Sequence, residues 1–200
     1  MHSSSIRKLI DCFRDLPGIG EKSAERFVYS MLNFEPDRLE NFANCIINVK
    51  NNVKKCKRCG NFTENDDGLC DICSNTLRNN SVIFVVEKPK DVILFEKVGN
   101  YDGVYHVLNG LISPLEGINP DDINLQSLVD RIKNGSVKEV IIALKPSLEG
   151  ETTTQYIRKI IEQYKVRVSR IATGIPMGTD IEYIDPMTLE MAFEERKYIS

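Results

Sequence analysis

The stretch CKRCGNFTENDDGLCDIC, residues 56–73, decides how the middle of this chain folds. Its cysteines follow the spacing C-x2-C-x10-C-x2-C, and each close pair can turn both sulfurs toward one ion. The stretch has almost no aliphatic core, so something other than hydrophobic burial must keep it folded. Four thiolates complete the tetrahedral shell that zinc prefers and leave no position open for water or substrate. The spacing therefore predicts one structural zinc ion per chain, bound by Cys56, Cys59, Cys70 and Cys73.

Two alternatives to zinc remain for the same cysteines. One is a set of four unligated thiols, and the other is an iron–sulfur cluster, which fits this spacing less well. Gly60 directly follows the first pair and supplies the backbone freedom that such a knuckle uses. The two other cysteines, Cys12 and Cys45, lie among helix-forming residues, and we expect both to be small buried apolar side chains.

The composition favours a cytoplasmic protein. The chain has 200 residues, 42% of them hydrophobic, which allows one to three small domains. No apolar run approaches the roughly 18 residues of a membrane span. The N-terminus is charged within its first ten residues and has no apolar core before a cleavage site, so we expect it to remain unprocessed.

Charge is unevenly distributed along the chain. The net charge is −3, but residues 1–60 carry 11 Lys/Arg against 7 Asp/Glu, whereas residues 81–200 carry 14 against 18. A basic first third on an acidic body is typical of one DNA-facing module on a scaffold. Chance scatter of surface charge explains the same numbers equally well.

Hydrophobic periodicity divides the chain into a helical part and an alternating part. Three helices are predicted at the start, over residues 6–16, over residues 21–32 and after Pro36. The alternating part has strands at 81–87, 103–108, 139–144 and 166–172, and helices at 92–98, 123–132 and 152–164. This alternation predicts a parallel sheet with helices on its faces, and a last helix is predicted to begin near Asp185.

Residues 16–26, LPGIGEKSAER, form a second motif between the first two helices. Gly18 and Gly20 permit a hairpin that aims backbone N–H groups outward at the start of a helix, where the helix dipole also favours an anion. A DNA phosphate fits there without base readout, and Lys22 and Arg26 share one helix face beside it. A plain connector between two helices is the alternative. The stretch resembles the helix-hairpin-helix motif of DNA repair proteins, which implies DNA contact through these four residues.

Residues 143–153, ALKPSLEGETT, form a third motif at the end of a predicted strand. They resemble the Toprim domain shared by topoisomerases, primases and related nucleases. Glu149, Gly150 and Glu151 match the motif of that domain, and Glu87, which ends the first strand, matches its other acidic residue.

The Toprim motif is incomplete in this chain. Lys145 and Ser147 stand where type IA topoisomerases have aspartates. Those enzymes need clustered carboxylates to hold magnesium near a phosphate, and a lysine puts a positive charge where the cation would lie. The motif therefore indicates that the sheet is kept and the catalytic centre is lost, which leaves Glu87, Glu149 and Glu151 as vestigial acidic residues.

The order of these pieces resembles the RecR family of bacterial recombination mediators over nearly the whole chain. Three further stretches fit the family: YHVLNGLISPLEGI, residues 105–118, EGETTTQYI, residues 149–157, and ATGIPMGTDIEYIDPMTL, residues 172–189. An Asn is more usual in the family at the position of Lys145. The expected fold class is α+β multidomain. Its parts are a helix-hairpin-helix DNA-binding region at 1–53, a four-cysteine zinc knuckle at 54–78, a Toprim-like domain at 79–174 and a C-terminal helical segment at 175–200.

The resemblance implies a non-enzymatic, DNA-binding mediator of recombinational DNA repair. Such a protein works with RecO, and in some settings RecF, to help load the RecA recombinase at single-stranded gaps. It also implies a homo-oligomer, either a dimer or a ring-shaped tetramer, that associates with the nucleoid in the cytoplasm.

Two other functions remain open on the sequence. A Toprim-type magnesium-dependent nuclease or primase is one, although Lys145 and Ser147 argue against it. A zinc-ribbon adaptor that binds only protein is the other. His106 beside Tyr105 could be a general base, but no nucleophile can be paired with it, and we favour a structural hydrogen-bonding role.

Overall fold

The computed structural model describes residues 3–172 and 174–196, and it divides into two compact units. The first unit ends at Val53 and the second begins at Lys54. Within the described residues, no helix is both long enough and apolar enough to cross a membrane.

The first unit contains three helices, α1 (Ser4–Arg14), α2 (Glu21–Met31) and α3 (Pro36–Asn52). The Ser3 side chain caps α1 by accepting from the Ile6 N–H, and Pro36 starts α3 at a position where its missing N–H costs nothing. Helices α1 and α2 pack through a small core whose buried members are Ile10, Ala24 and Val28.

Helix α3, predicted after Pro36, contributes no residue to the buried core of the first unit. None of its residues, all of which the structure describes, is buried. Its apolar side chains instead form an exposed stripe, made of Leu39, Phe42, Ile46, Ile47 and Val49. The stripe is the kind of contiguous apolar surface that marks an interaction site.

The prediction that Cys12 and Cys45 are buried is wrong, because both are exposed. Cys12 lies two residues beyond the buried Ile10, and a two-residue step on a helix turns the side chain to the opposite face. Cys45 belongs to α3, which buries none of its residues.

The second unit opens with the zinc module, residues 54–75. Strands β1 (Lys54–Lys55) and β2 (Phe62–Thr63) pair antiparallel, and the short helix α4 (Asp71–Ser74) carries the last cysteine. Side-chain hydrogen bonds to the backbone hold the loop between β2 and α4, for instance from Thr63 Oγ1 to the Leu69 carbonyl at 2.9 Å.

A four-stranded sheet follows, and all of its pairings are parallel, as predicted. Its strands, in the spatial order β4-β3-β5-β6, are β3 (Asn79–Val86), β4 (Gly103–Val107), β5 (Glu139–Ala143) and β6 (Arg167–Arg170). Its helices are α5 (Pro89–Val98), α6 (Gln126–Lys133) and α7 (Leu148–Ile161).

Strand β3 builds a core on each face of the sheet. Ile83 and Val85 belong to the larger core, which also contains residues of α6 and α7. Phe84 and Val86 alternate with them and enter the smaller core beside Val92 of α5. The helices thus cover both faces, which is why β3 reads as a continuous apolar run.

The C-terminal helix α8 (Pro186–Glu194) begins at the predicted place, since the Asp185 carboxylate caps it by accepting from the Thr188 N–H at 3.0 Å. The last residues of the stretch predicted as helix, 197–199, lie outside the described residues.

Candidate zinc centre and nucleic-acid interface

The four predicted cysteines meet in one buried cluster. Their sulfur atoms all lie within 4.8 Å of one another, and the Cys59 and Cys70 sulfurs are 3.6 Å apart. A tetrahedral zinc ion with bonds of about 2.3 Å would separate its sulfurs by roughly 3.8 Å, whereas a disulfide would bring them to about 2 Å. The cluster is a structural zinc site.

Backbone hydrogen bonds orient the cluster. The Cys70 N–H points at the Cys56 sulfur at 3.3 Å, and the Asn61 N–H points at the Cys59 sulfur at 3.5 Å. Such donors stabilise negative charge on sulfur and fix the direction of each ligand. The four buried ligands leave no open coordination position, so a zinc ion here supports the fold.

The zinc module is joined to the sheet at Gly60. The Val107 N–H, at the end of β4, donates to the Cys59 carbonyl at 2.7 Å, and the Asn109 side chain reaches the Gly60 carbonyl at 3.3 Å. Gly60 has a φ of +78°, and a β-carbon there would lie 2.6 Å from the Asn124 amide nitrogen. Only glycine lets the knuckle approach β4 this closely.

His106 belongs to a buried polar network beneath this junction. Its side chain is fully buried, and its Nε2 lies 2.6 Å from the Asn124 carbonyl, which can only accept. Nε2 therefore carries the proton, and Nδ1 accepts from Arg131 Nη1 at 3.4 Å. Burial lowers the pKa of His106 to about 3. These contacts favour the structural role predicted for His106 over that of a general base.

The helix-hairpin-helix residues lie at the start of α2 in the first unit. Gly18 has a φ of +83°, and Gly20 is the N-cap of α2 without a side chain to cap it. The first N–H groups of the helix are thus left without a side-chain partner, as an anion site requires. Lys22 and Arg26 are exposed, and neither forms an ion pair with a carboxylate of the described residues.

The three Toprim glutamates have local partners. Glu87 lies 3.0 Å from the Lys88 amine, Glu149 accepts from the Ser147 hydroxyl at 2.7 Å, and Glu151 pairs with Arg170 at 3.1 Å. The hydrogen bond from Ser147 lowers the pKa of Glu149. Across the described residues, the cysteine cluster is the one group of three or more potential ligands close enough to hold a metal.

Lys145 lies at the same end of the sheet as Glu87. It lines the same cavity as Glu87, at the carboxyl ends of β3 and β5. Packing requires a glycine at position 150, because a β-carbon there would lie 2.0 Å from the Lys145 carbonyl oxygen.

Two arginines of the second unit were not singled out from the sequence. Arg58 lies inside the first cysteine pair and donates to the Cys73 carbonyl at 3.0 Å, and Arg131 of α6 donates to the Tyr105 carbonyl at 2.7 Å. The helical pattern of residues 123–132 shows no more than a charged position at Arg131. Only the folded arrangement brings it to the zinc module.

The fold and the site together define a class of protein. A helix-hairpin-helix unit, a four-cysteine zinc module and a Toprim-type parallel sheet are characteristic of proteins that handle DNA in repair and recombination.

Comparison with known proteins narrows this class to one family. Four family models match the chain: the RecR helix-hairpin-helix at residues 6–50, the RecR zinc finger domain with four cysteines at 53–75, the Toprim domain at 81–172 and the RecR C-terminal region at 174–197. The "Recombination protein RecR" of Clostridium perfringens is 49% identical over 195 residues, which are 98% of this chain and 97% of that protein. That of Lactobacillus helveticus is 46% identical over 192 residues, 96% of each chain. The chain belongs to the RecR family.

Membership of this family assigns the chain to DNA recombination and repair as a mediator. The expectations for the family, the fold class and the structural zinc are confirmed.

Proposed function

We propose that this chain is a non-enzymatic mediator that binds DNA at single-stranded gaps and, with RecO and RecF, helps to load the RecA recombinase. The division of labour follows the predicted domains. Residues 1–53 contact DNA, the zinc knuckle at 54–78 supports the fold, and residues 79–174 with the tail at 175–200 form the body. The protein then acts in the cytoplasm, at the nucleoid.

The hairpin at the start of α2 carries this proposal. Gly18 and Gly20 are exposed, no side chain caps the helix, and its dipole favours negative charge at this end. Lys22 and Arg26 extend the positive surface along the same helix. These groups suit phosphate oxygens and offer no readout of base edges, so binding should depend on salt and little on sequence.

The test is the double variant Lys22→Ala/Arg26→Ala. On a single strand, each lost phosphate contact should make the slope of log affinity against log salt shallower by about 0.7 unit, so two contacts amount to about 1.4. The matched control is Arg7→Ala/Lys8→Ala, which removes the same charge from exposed positions of α1. The assay is fluorescence anisotropy of a labelled oligonucleotide between low and high salt. Equal slopes for the double variant and the control would contradict the proposed contact.

Self-association as a dimer or ring-shaped tetramer is supported by the exposed apolar surface. The α3 stripe is one such surface, and the C-terminal segment adds another, formed by Met177, Ile181, Tyr183, Met187 and Phe193. Exposed apolar patches of this kind mark interaction sites between proteins. Sedimentation with and without DNA tests this, and a monomer under both conditions would contradict it. Pull-down with purified RecO and RecF tests the partners.

The lack of catalysis is the remaining part of the proposal. The glutamates are engaged locally, and a cation beside Glu87 would meet Lys145. Two unit charges of like sign at ~4 Å repel by about 4 kcal/mol at an effective dielectric of ~20. The experiment incubates the pure protein with magnesium or manganese and nicked, supercoiled or single-stranded DNA. Turnover that is lost in Glu87→Ala would favour the nuclease or primase instead.

A further inference from the structure

A cavity of about 270 Å³ lies between the zinc module and the sheet domain of the second unit. Arg58 of the knuckle and Arg131 of α6 line it, together with the polar residues Asn80, Asn134 and Ser136. In the part of the chain that the structure describes, no carboxylate lines this cavity. Its lining therefore combines hydrogen-bond donors with two positive charges.

Each of the two guanidinium groups is anchored through one of its own amino groups. Arg58 Nη1 donates to the Cys73 carbonyl at 3.0 Å, and Arg131 Nη1 donates to the Tyr105 carbonyl at 2.7 Å. A guanidinium has five N–H donors, so several remain on each side chain. Neither arginine forms an ion pair within the described residues. Two held guanidiniums of like charge in one cavity are stabilised by an anion between them.

We propose that this cavity binds a phosphate group of the DNA backbone, as a second contact in addition to the hairpin of α2. The proposal rests on the proposed DNA-binding function and adds a site in the other unit. A phosphodiester suits the cavity because guanidiniums recognise phosphate oxygens through paired N–H donors.

The surroundings of the cavity favour a nucleic acid over an acidic protein segment. Lys54, Lys55 and Lys57 precede Arg58 in the run KKCKR, and all three are exposed. Phe62, a residue that is 54% exposed, pairs with Lys55 across the β1–β2 ladder, so the two share a face. An exposed aromatic ring among cations can stack on a base while the cations contact phosphates.

The two arginines have one competing role. Zinc held by four thiolates carries a formal charge of −2, and the negative charge of Cys73 and Cys59 acts on Arg131. The arginines could thus only balance the zinc centre. If the arginines only balance the zinc charge, losing one should reduce zinc retention and leave DNA affinity unchanged. If they bind phosphate, losing one should reduce DNA affinity and leave zinc retention unchanged.

The test adds a negative charge to the cavity without removing any existing contact. Ser136 is exposed on the rim, so Ser136→Asp places a carboxylate beside the arginines, and Ser136→Asn is the neutral control of equal shape. We expect Ser136→Asp to weaken binding of a labelled oligonucleotide on the order of fivefold and to make its salt slope shallower by about one unit. Ser136→Asn should bind like the unmodified chain.

A second variant separates the phosphate site from the zinc centre. Arg58→Gln should lose affinity to a similar extent while zinc content, measured by elemental analysis, stays at one ion per chain. Combined with Lys22→Ala/Arg26→Ala, its effect should be additive, because the two contacts are separate. Unchanged affinity in Ser136→Asp and Arg58→Gln, with the unmodified chain binding DNA, overturns this site alone. No binding by the unmodified chain overturns the proposed function itself.

Discussion

Gly60→Ala should be among the most destabilising single changes in the second unit. The residue has a φ of +78°, a conformation that costs a residue with a β-carbon roughly 1–2 kcal/mol. Its added methyl group would lie 2.6 Å from the Asn124 amide nitrogen and 2.8 Å from the Val107 carbonyl oxygen. The carbonyl belongs to the backbone of β4 and cannot rotate away.

The size of the effect follows from these two contributions. Forcing an extra carbon into a packed site costs about 1–3 kcal/mol, so the total for Gly60→Ala is roughly 2–5 kcal/mol. Gly68→Ala is the matched control in the same module, because its φ is +75° and its nearest atoms belong to the flexible side chain of Lys57. Gly68→Ala should show only the cost of the backbone conformation. The two variants should therefore differ in their free energy of unfolding by about 1–3 kcal/mol, which measures the close approach to β4.

The assay is thermal unfolding followed by circular dichroism on zinc-loaded protein. At about 2–4 °C per kcal/mol for a chain of this size, Gly60→Ala should unfold roughly 2–12 °C below Gly68→Ala. Elemental analysis before the experiment ensures that both variants carry zinc. Equal melting temperatures for the two variants would refute the argument that the knuckle is packed against β4 at this point.

Three further predictions concern the second unit. Cys70→Ser should lose zinc, shown by elemental analysis, and loosen the module, since metal binding contributes directly to folding; retained zinc with an intact fold would contradict this. Tyr105→Phe should lower the free energy of unfolding by about 1–2 kcal/mol in urea, because it removes the 2.7 Å hydrogen bond to Glu96. Burial lowers the pKa of His106 from 6.5 to about 3, so the unfolded chain binds more protons in that window and stability falls as pH decreases through it. His106→Gln should make this slope shallower between about pH 7 and 5.5, and an unchanged slope would show that His106 is not its source.

Much of the architecture could be predicted because local patterns determine it. The cysteine spacing indicated the metal cluster, and the alternation of strands and helices indicated a parallel sheet with helices on its faces. Boundaries moved where capping decides them: α7 begins at Leu148, ahead of the predicted 152, because Ser147 caps it by accepting from the Gly150 N–H.

The features that could not be predicted depend on long-range contacts. An amphipathic pattern on α3 shows that an apolar face exists, but it does not show whether the same chain or another covers it. The strand order β4-β3-β5-β6 is likewise a choice among crossovers that the individual strands do not reveal. The Arg58 and Arg131 cavity arises only once the knuckle packs on the sheet, so nothing in either segment alone indicates it.

The Toprim-like motif is best explained by the packing of this chain. Each of its matching residues has a structural contact: Glu149 accepts from Ser147, Gly150 allows the first turn of α7 to approach Lys145, and Glu151 pairs with Arg170 of β6. The fold needs these contacts whether or not a metal binds. A larger residue at Gly150, for example, would push α7 away from the Lys145 carbonyl. The resemblance of residues 149–151 to a magnesium enzyme is therefore evidence for the fold, and the chemistry must be argued from Lys145 and Ser147, where this chain differs.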